Sequence, residues 1–437
     1  MKVNVRNSIF THEGGKAVEI TPYQRLKRTV LACMLFEDNF YEDGVAVVDR
    51  IKELCSRCNC EDILKLAFDA THLYHLRHVP LQLIVEALKS PNICLNAHGY
   101  IDCIITRPDM MTDLLALYWK DGKKPIANQL KKGLALAFQK FDEYQLGKYN
   151  RDNPIKLRDV LFLVHAKPKD KDQADLWKRL ANKQLKTPDT WEVRLSAGQD
   201  KKATFAELLY KGKLGKLAIL RNLRNMQQSG VPKETVAYEL MRNPKEMLPF
   251  QYIAAAKECP EWEDIVDPAM IQACALKPKF LGKTVIMVDV SGSMDSPISN
   301  KSKMMRMDAA CGMAILLREC TDDPTIFTFS NGIALVPNRH GMALRDAIVS
   351  SQPHSGTYLG GCLNNVIRSG MRYDRLIVIT DEQIGDMIPQ MPFGKNYIFN
   401  IAGYQNGIGN HNQWTTITGF SEASIDFIRE LENEKGD

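Results

Sequence analysis

The chain has 437 residues, 45% of them hydrophobic and 25% charged, and a net charge of +5. At about 150 residues per domain that length suits two or three domains with ordinary cores, and the composition excludes a fibre or a disordered polymer. No apolar run approaches the ~18 residues that a membrane helix needs. The start, Met1-Lys2-Val3-Asn4-Val5-Arg6, lacks the apolar core of a signal peptide. The expectation is a cytoplasmic protein whose eleven cysteines are mostly reduced.

Residues 20–280 read as helix after helix. Thr21-Pro22 offers an N-cap followed by proline at the first helical position, opening an amphipathic run to about Phe36. Further helical patterns fall near 45–55, 61–76, 80–89, 110–120, 125–141, 156–165, 203–210, 213–228 and 232–242, with Pro, Gly or Asn between many of them. Period-two alternation long enough for a sheet is almost lacking. Antiparallel helix pairs stacked side by side fit the spacing, although no repeat is legible in the residues themselves.

The period changes at Gly282. Val285-Ile286-Met287-Val288-Asp289-Val290 is a continuous apolar run of the kind that forms a strand buried on both faces, and Thr325–Phe329, Arg375–Thr380 and Asn396–Ala402 repeat it. Helical patterns intervene at Lys303–Cys320, His340–Ser350, Leu359–Met371 and Ser421–Glu432. This alternation predicts a mostly parallel sheet with helices on both faces. The boundary falls near Pro278–Gly282.

The charge divides with the architecture. Residues 281–437 hold 13 Lys and Arg against 17 Asp and Glu, whereas 1–280 hold 44 against 35. Within Lys120–Gln228 the ratio is 25 to 12. Such a segment attracts polyanions, nucleic acid first among them, or else forms a solvated lysine-rich surface. Helix 156–165 places Leu157, Val160, Leu161 and Val164 on one side and Arg158 and His165 on the other. Lys148 and Arg151 precede it, and Lys167 and Lys169 follow. A cluster of this kind contacts phosphates with little reading of sequence. His165 also admits the plainer reading of a satisfied histidine at a helix end. Lys131-Lys132 reads first as a solvated pair and second as a further phosphate contact.

The sharpest motif is Asp289-Val290-Ser291-Gly292-Ser293, placed where the first buried strand ends. Ligands of open parallel sheets bind beyond the carboxyl ends of the strands. Asp289, Ser291 and Ser293 supply hard oxygens of the type Mg²⁺ accepts. Asp381 ends the strand 376–380 in the same way, and Thr357 enters a helix with a third hydroxyl. This constellation resembles the metal-ion-dependent adhesion site of von Willebrand factor A domains, Asp-x-Ser-x-Ser followed by Thr and then Asp. All five positions, Asp289, Ser291, Ser293, Thr357 and Asp381, are present in order, so the resemblance implies one Mg²⁺ or other divalent cation.

Upstream, Arg77-His78-Val79-Pro80-Leu81, Leu114–Lys124, Phe138–Lys148, Asp159–Pro168 and Leu220–Asn225 resemble the TROVE module of the Ro ribonucleoproteins, as do Ala402-Gly403-Tyr404 and Gly419-Phe420-Ser421 near the end. What this resemblance implies is an all-α, HEAT-like helical-repeat ring over 1–280, closed by an α/β doubly wound von Willebrand factor A domain over 281–437. It further implies a non-catalytic, monomeric ring that binds Y-type small noncoding RNA on its basic outer surface. Single-stranded ends of defective RNA would enter its hole, with an exoribonuclease as a candidate partner and neither membrane nor DNA expected. A Lys and a His carry RNA binding in the family, and Lys148 and His165 match them. A family arginine falls at Asp152, with Arg151 beside it.

Other signals are weaker. Gly282-Lys283-Thr284 looks like the end of a phosphate loop, but the earlier glycine is replaced by Lys277 and a strand follows where a helix is required. Cys55, Cys58 and Cys60 have the spacing of a partial zinc site, with His72 or His75 as distant fourth ligands, but read first as free thiols. A metal-dependent hydrolase lacks a general base beside the loop. The competing function of another class is an adhesion module that takes a partner protein's carboxylate through Mg²⁺, with the helical half as a spacer.

Overall fold

The computed structural model describes all residues except 1–9, 16, 18, 32–43, 91–93, 245–246, 299–302, 393, 405, 409–412, 420–422 and 434–437. Among the described residues seventeen α-helices precede the first strand. Their starts are built from local chemistry. Asn59 caps helix Cys60–His72 by accepting from the Glu61 amide at 3.0 Å. Asp142 and Gln145 form a reciprocal capping box on helix Glu143–Tyr149, and Asp170 caps helix Lys171–Ala181. Proline opens helices Pro22–Leu31 and Pro108–Tyr118. The single helix expected over 213–228 is two, Lys216–Arg221 and Leu223–Gln228. They divide at Asn222, whose buried side chain donates to the Ala218 carbonyl at 2.9 Å and competes there with the helical ladder.

The helices form two compact groups. The first comprises Pro22–Val30 and Val48–Gly198; the second is formed mainly by Gln199–Asp437. In the first group, helices Cys60–His72, Ala97–Ile104, Asn128–Phe138 and Leu157–Val164 pack in succession, and His78–Ala87, Pro108–Tyr118 and Glu143–Tyr149 form a second row. Within each row a helix thus packs on the next but one, the arrangement of HEAT-like repeats. The second group has the same rule. Lys201–Tyr210, Leu223–Gln228, Pro249–Glu258 and Arg306–Glu319 make one row, and Lys216–Arg221, Lys233–Met241, Glu263–Cys274 and Gly341–Val349 make the other.

Both of these rows end in helices of the strand-rich part. The change from helix to strand comes where it is expected, with β1 beginning at Phe280. Compactness divides elsewhere, near Gly198, because the last repeats continue into the α/β layer.

The sheet has the order β3-β2-β1-β4-β5-β6, with β1 Phe280–Asp289, β2 Thr321–Phe329, β3 Ile333–Leu335, β4 Arg375–Thr380, β5 Lys395–Asn400 and β6 Trp414–Thr418. All neighbours are parallel except β3, an antiparallel edge. The short strands β3 and β6 are not anticipated by the apolar runs. On one face Val285, Met287, Leu376, Val378 and Ile398 are buried with Leu359, Leu363 and Val366 of helix Leu359–Arg368. Ile286, Val288, Ile377 and Ile379, pointing the other way by the period of two, are equally buried. The chain leaves β1 first toward β2 and later returns to β4, so the gap between β1 and β4 is a topological switch point.

Helix Arg306–Glu319 joins the layers. It packs on β1, β2 and β4 and on helix Pro249–Glu258. A Cβ at Gly312 would lie 3.1 Å from the Phe250 amide nitrogen, so the two helices meet at backbone distance. Asp308 accepts from Lys257 on one side and Arg345, at 3.3 Å, on the other. Asp267 caps helix Gly341–Val349 through the Met342 amide at 2.8 Å. Overpacking such a contact costs about 1–3 kcal/mol. Gly312→Leu should therefore lower the melting temperature by several degrees in a thermal shift assay, whereas Gly332→Ala, with open space around its Cβ, should leave it unchanged.

Candidate functional site

The strand order brings the carboxyl ends of β1, β2 and β4 together, and three loops leave there. Asp289, the last residue of β1, is fully buried. One carboxylate oxygen accepts the Ser291 amide at 2.9 Å and the other the Thr380 hydroxyl at 2.6 Å. The Ser291 and Ser293 hydroxyls stand 3.4 Å apart, both buried. Asp381, also fully buried, follows β4 and accepts the Gln383 amide at 3.1 Å on Oδ1. Its Oδ2 has no hydrogen-bond partner among the described residues, and the nearest cation is Arg306, with Nη1 at 3.9 Å.

Thr357 is buried in the loop between helices Gly341–Val349 and Leu359–Arg368, which is tied to the loops after β1 and β4. The Gly292 amide donates to the Ser355 carbonyl at 2.9 Å, and the Gly385 amide to the Thr357 carbonyl at 2.8 Å. Ser330, just past β2, completes the junction by donating to the Gly356 carbonyl and accepting the Ser355 amide. The structure therefore brings the two carboxylate loops and the threonine loop together. Tyr358 stands half exposed, its ring against Gly356 and Gly385.

The electrostatics are those of a site short of positive charge. Burial raises the pKa of Asp289, and the neighbouring Asp381 raises it further, against the hydrogen bonds from Ser291 and Thr380. Burial likewise raises that of Asp381, opposed by the Arg306 charge, the Ser293 hydroxyl and the Gln383 amide. Two desolvated carboxylates, one with an oxygen that accepts no hydrogen bond, and a set of hydroxyls form a donor set that fits a small, hard cation. No three His, Cys, Asp or Glu side chains converge on one point among the described residues. That bears on Cys55, Cys58 and Cys60, which are free thiols with burial raising the pKa of each. It does not bear on a set of two carboxylates and three hydroxyls.

Several supporting residues escape a reading of the motif. Thr380, inside β4, orients Asp289 and also accepts the Glu382 amide. Arg306, buried at the start of its helix, stacks 4.9 Å above the ring of Tyr404 and donates to its hydroxyl. The segment 11–15 lies against the loop after β4. Thr11 and Gly15 donate to the Ile384 carbonyl, and the His12 amide donates to Gln383. A Cβ at Gly15 would fall 2.2 Å from the Ile384 oxygen, so only glycine fits. Apart from the Thr380–Glu382 bond, no local pattern signals these contacts, since their partners lie 91 to 373 residues apart in sequence.

The basic residues lie on consecutive elements of the first group. Lys148, in the last turn of helix Glu143–Tyr149, stands 5.8 Å above the Tyr144 ring and 5.9 Å above Tyr149. Arg107 covers the Tyr149 ring at 4.4 Å. Arg151 is exposed in the next loop, and Asp152 is paired with Lys156. Helix Leu157–Val164 carries half-exposed Arg158, whose guanidinium lies 3.6 Å from Asp159. His165 is the left-handed C-cap at φ 53°, exposed and with no hydrogen bond to its ring among the described residues. Helices Glu143–Tyr149 and Leu157–Val164 both pack on Pro108–Tyr118. Lys132 is exposed and Lys131 half-buried on helix Asn128–Phe138, which packs on Leu157–Val164.

Phe162 is the residue that the charge pattern misses. It is 62% exposed, one turn beyond Arg158 and just before His165 on the same helix. An apolar side chain on the polar face of an amphipathic helix is its only signal in the sequence.

Comparison with known proteins agrees with both halves. Residues 283–391 match the family model described as the Ro60 vWA domain, and residues 177–256 match that of the TROVE domain. The fold is similar to that in the crystal structure of Deinococcus radiodurans RO (RSR) protein. The TM-score is 0.60 at 16% identity, over 93% of this chain and 98% of that one. No curated protein sequence matches the chain significantly. Residues 177–256 are thus similar to a TROVE domain and residues 283–391 to a Ro-type von Willebrand factor A domain, on a fold similar to that of a bacterial Ro protein.

Proposed function

We propose that the chain binds small noncoding RNAs of the Y type through Lys148, Arg151, Arg158, Phe162 and His165, with Lys131 and Lys132 as outer phosphate contacts. The observation that carries this reading is Phe162, an exposed aromatic set between an arginine and a histidine on one helix face. Cations on such a face neutralise phosphates, and the ring supplies a stacking surface for an unpaired base. Single-stranded ends of defective RNA are the second substrate, and an exoribonuclease would act on what the protein presents. The proposed compartment is the cytoplasm. Its support is that none of the ten described cysteines is in a disulfide and that no described helix is long and apolar enough to cross a membrane.

Affinity for a Y-like hairpin should fall steeply with salt, with a log–log slope of about −0.7 per phosphate contact on single-stranded regions. Lys148→Ala with His165→Ala should weaken RNAs of many sequences by about tenfold and flatten the slope. Phe162→Ala should weaken binding without changing the slope, because a ring releases no counterions. Fluorescence anisotropy at several salt concentrations measures all three. A Phe162→Ala protein with unchanged affinity would remove the stacking role.

For the von Willebrand domain we propose one Mg²⁺ held by Asp289, Ser291, Ser293, Thr357 and Asp381, some of them through water. When bound, the ion would neutralise the carboxylate pair and offer a partner's oxygen a coordination position. The support is the buried Asp381 Oδ2, which accepts no hydrogen bond among the described residues, beside a second buried acid. Both carboxylates have raised pKa values in the fold. The native state therefore keeps protons that the unfolded chain has released, and without a cation the pair destabilises the fold as pH rises. Protons and cation compete for the site. The Mg²⁺-dependent rise in melting temperature should thus be larger at about pH 8 than at about pH 5.5. Asp289→Asn should abolish the rise at both, while leaving hairpin binding within about twofold, since phosphate contacts sit in the basic half.

We propose further that the helical repeats close on the von Willebrand domain as a monomeric ring. Small-angle scattering should give one compact particle with a dip in density at its centre. An elongated particle with independently moving halves is the contrary result.

A further inference from the structure

An open cleft of about 450 Å³ lies between helices Lys216–Arg221, Leu223–Gln228 and Pro249–Glu258 and the segment leading into helix Arg306–Glu319. The RNA face and the metal loop described above use none of its residues. Its walls are apolar, from Leu217, Leu220, Phe250 and Ala254, with Met304 closing one side. Its rim is cationic. Arg221 is exposed and has no acidic partner among the described residues, while Arg224 shares Glu258 with Lys303 at 2.7 and 2.8 Å. Glu258, its pKa lowered first by the Lys303 hydrogen bond, stays ionised and offsets one of these three charges. The Gln251 side-chain amide, also on the wall, makes no hydrogen bond within the described chain.

An apolar slot with a net positive rim and a free amide suits a flat, weakly polar body joined to an anion. We propose that this cleft receives one unstacked nucleotide of single-stranded RNA, an inference that rests on the RNA-binding reading above. The base lies against Phe250 and Ala254 with the Gln251 amide at its edge, and the flanking phosphates meet Arg221 and Arg224. Bases in a duplex are stacked and paired and do not enter such a slot, whereas a single strand can turn one outward. An acidic peptide would satisfy the rim but leave the apolar wall exposed. The volume lies within the range of small-ligand sites.

The test uses the full chain, a fluorescein-labelled oligouridylate and a blunt RNA hairpin. Ala254→Leu fills the slot and keeps its charges; Arg221→Ala keeps the shape and removes a charge. Each should weaken the oligouridylate about tenfold, as expected for losing one stacked base or one fixed charge, and leave the hairpin within about twofold. In the unmutated protein, 4-thiouridine in the oligonucleotide should crosslink to peptides containing Leu217–Asn225 or Phe250–Glu258. This readout does not depend on how the variants fold. Unchanged oligouridylate affinity in both variants, or crosslinks confined to other peptides, overturns the proposal. So does an acidic peptide whose binding both variants abolish while the oligonucleotide is unaffected. If the unmutated protein bound neither RNA, the RNA-binding reading itself would fail. If it bound the hairpin normally and only the oligouridylate results were negative, the cleft alone would fall.

Discussion

Asp289 and Asp381 are both withdrawn from water at the ends of adjacent parallel strands, and much of the surrounding structure answers to that constraint. A desolvated carboxylate is costly unless hydrogen bonds or opposite charge stabilise it. The Ser291 amide and the Thr380 hydroxyl serve Asp289. The Gln383 amide and the Arg306 charge serve Asp381 less fully, and one of its oxygens has no hydrogen bond. The loops bearing Ser293, Thr357 and Gln383 are held in place by backbone bonds to one another and to residues 11–15. The loops are tied to one another, and one buried carboxylate oxygen still accepts no hydrogen bond among the described residues.

Helix Arg306–Glu319 carries that constraint into the helical part of the molecule. Its first residue faces Asp381, and its third pairs with Lys257 of helix Pro249–Glu258. Its Gly312 lets the two helices meet at Phe250. Phe250 in turn forms a wall of the apolar cleft. One helix is therefore at once the first crossover of the α/β sheet and the last member of a row of helical repeats. This double membership explains why the chain separates into compact groups near Gly198 and not at the start of β1.

The division of labour follows the charge. Net positive residues gather in 1–280 and net negative ones in 281–437. On charge alone, the acidic half would repel a polyanion and the basic half would attract one. Exposed cations alone make a face sticky to any polyanion. In the proposed reading, the exposed Phe162 and the tyrosines beneath Lys148 and Arg107 would add flat surfaces suited to unpaired bases.

Much of this was legible in the residues alone. Continuous apolar runs identified β1, β2, β4 and β5, because a strand buried on both faces has no polar positions to spare. The residues Asp289, Ser291, Ser293, Thr357 and Asp381 could be named as a group because each follows a strand or enters a helix at one end of a parallel sheet. Helices Glu143–Tyr149 and Lys171–Ala181 went unread, although Asp142 and Asp170 offer each an N-cap. What the tertiary structure alone decided is who meets whom. Arg306 beside Asp381, Thr380 on Asp289, residues 11–15 on the loop after β4, and Gly312 against Phe250 join positions far apart in sequence. Phe162 drew no reading from the sequence, and packing leaves it in solvent. Periodicity reports the face a residue takes on its own element, while the partner of that face is set only when the elements come together.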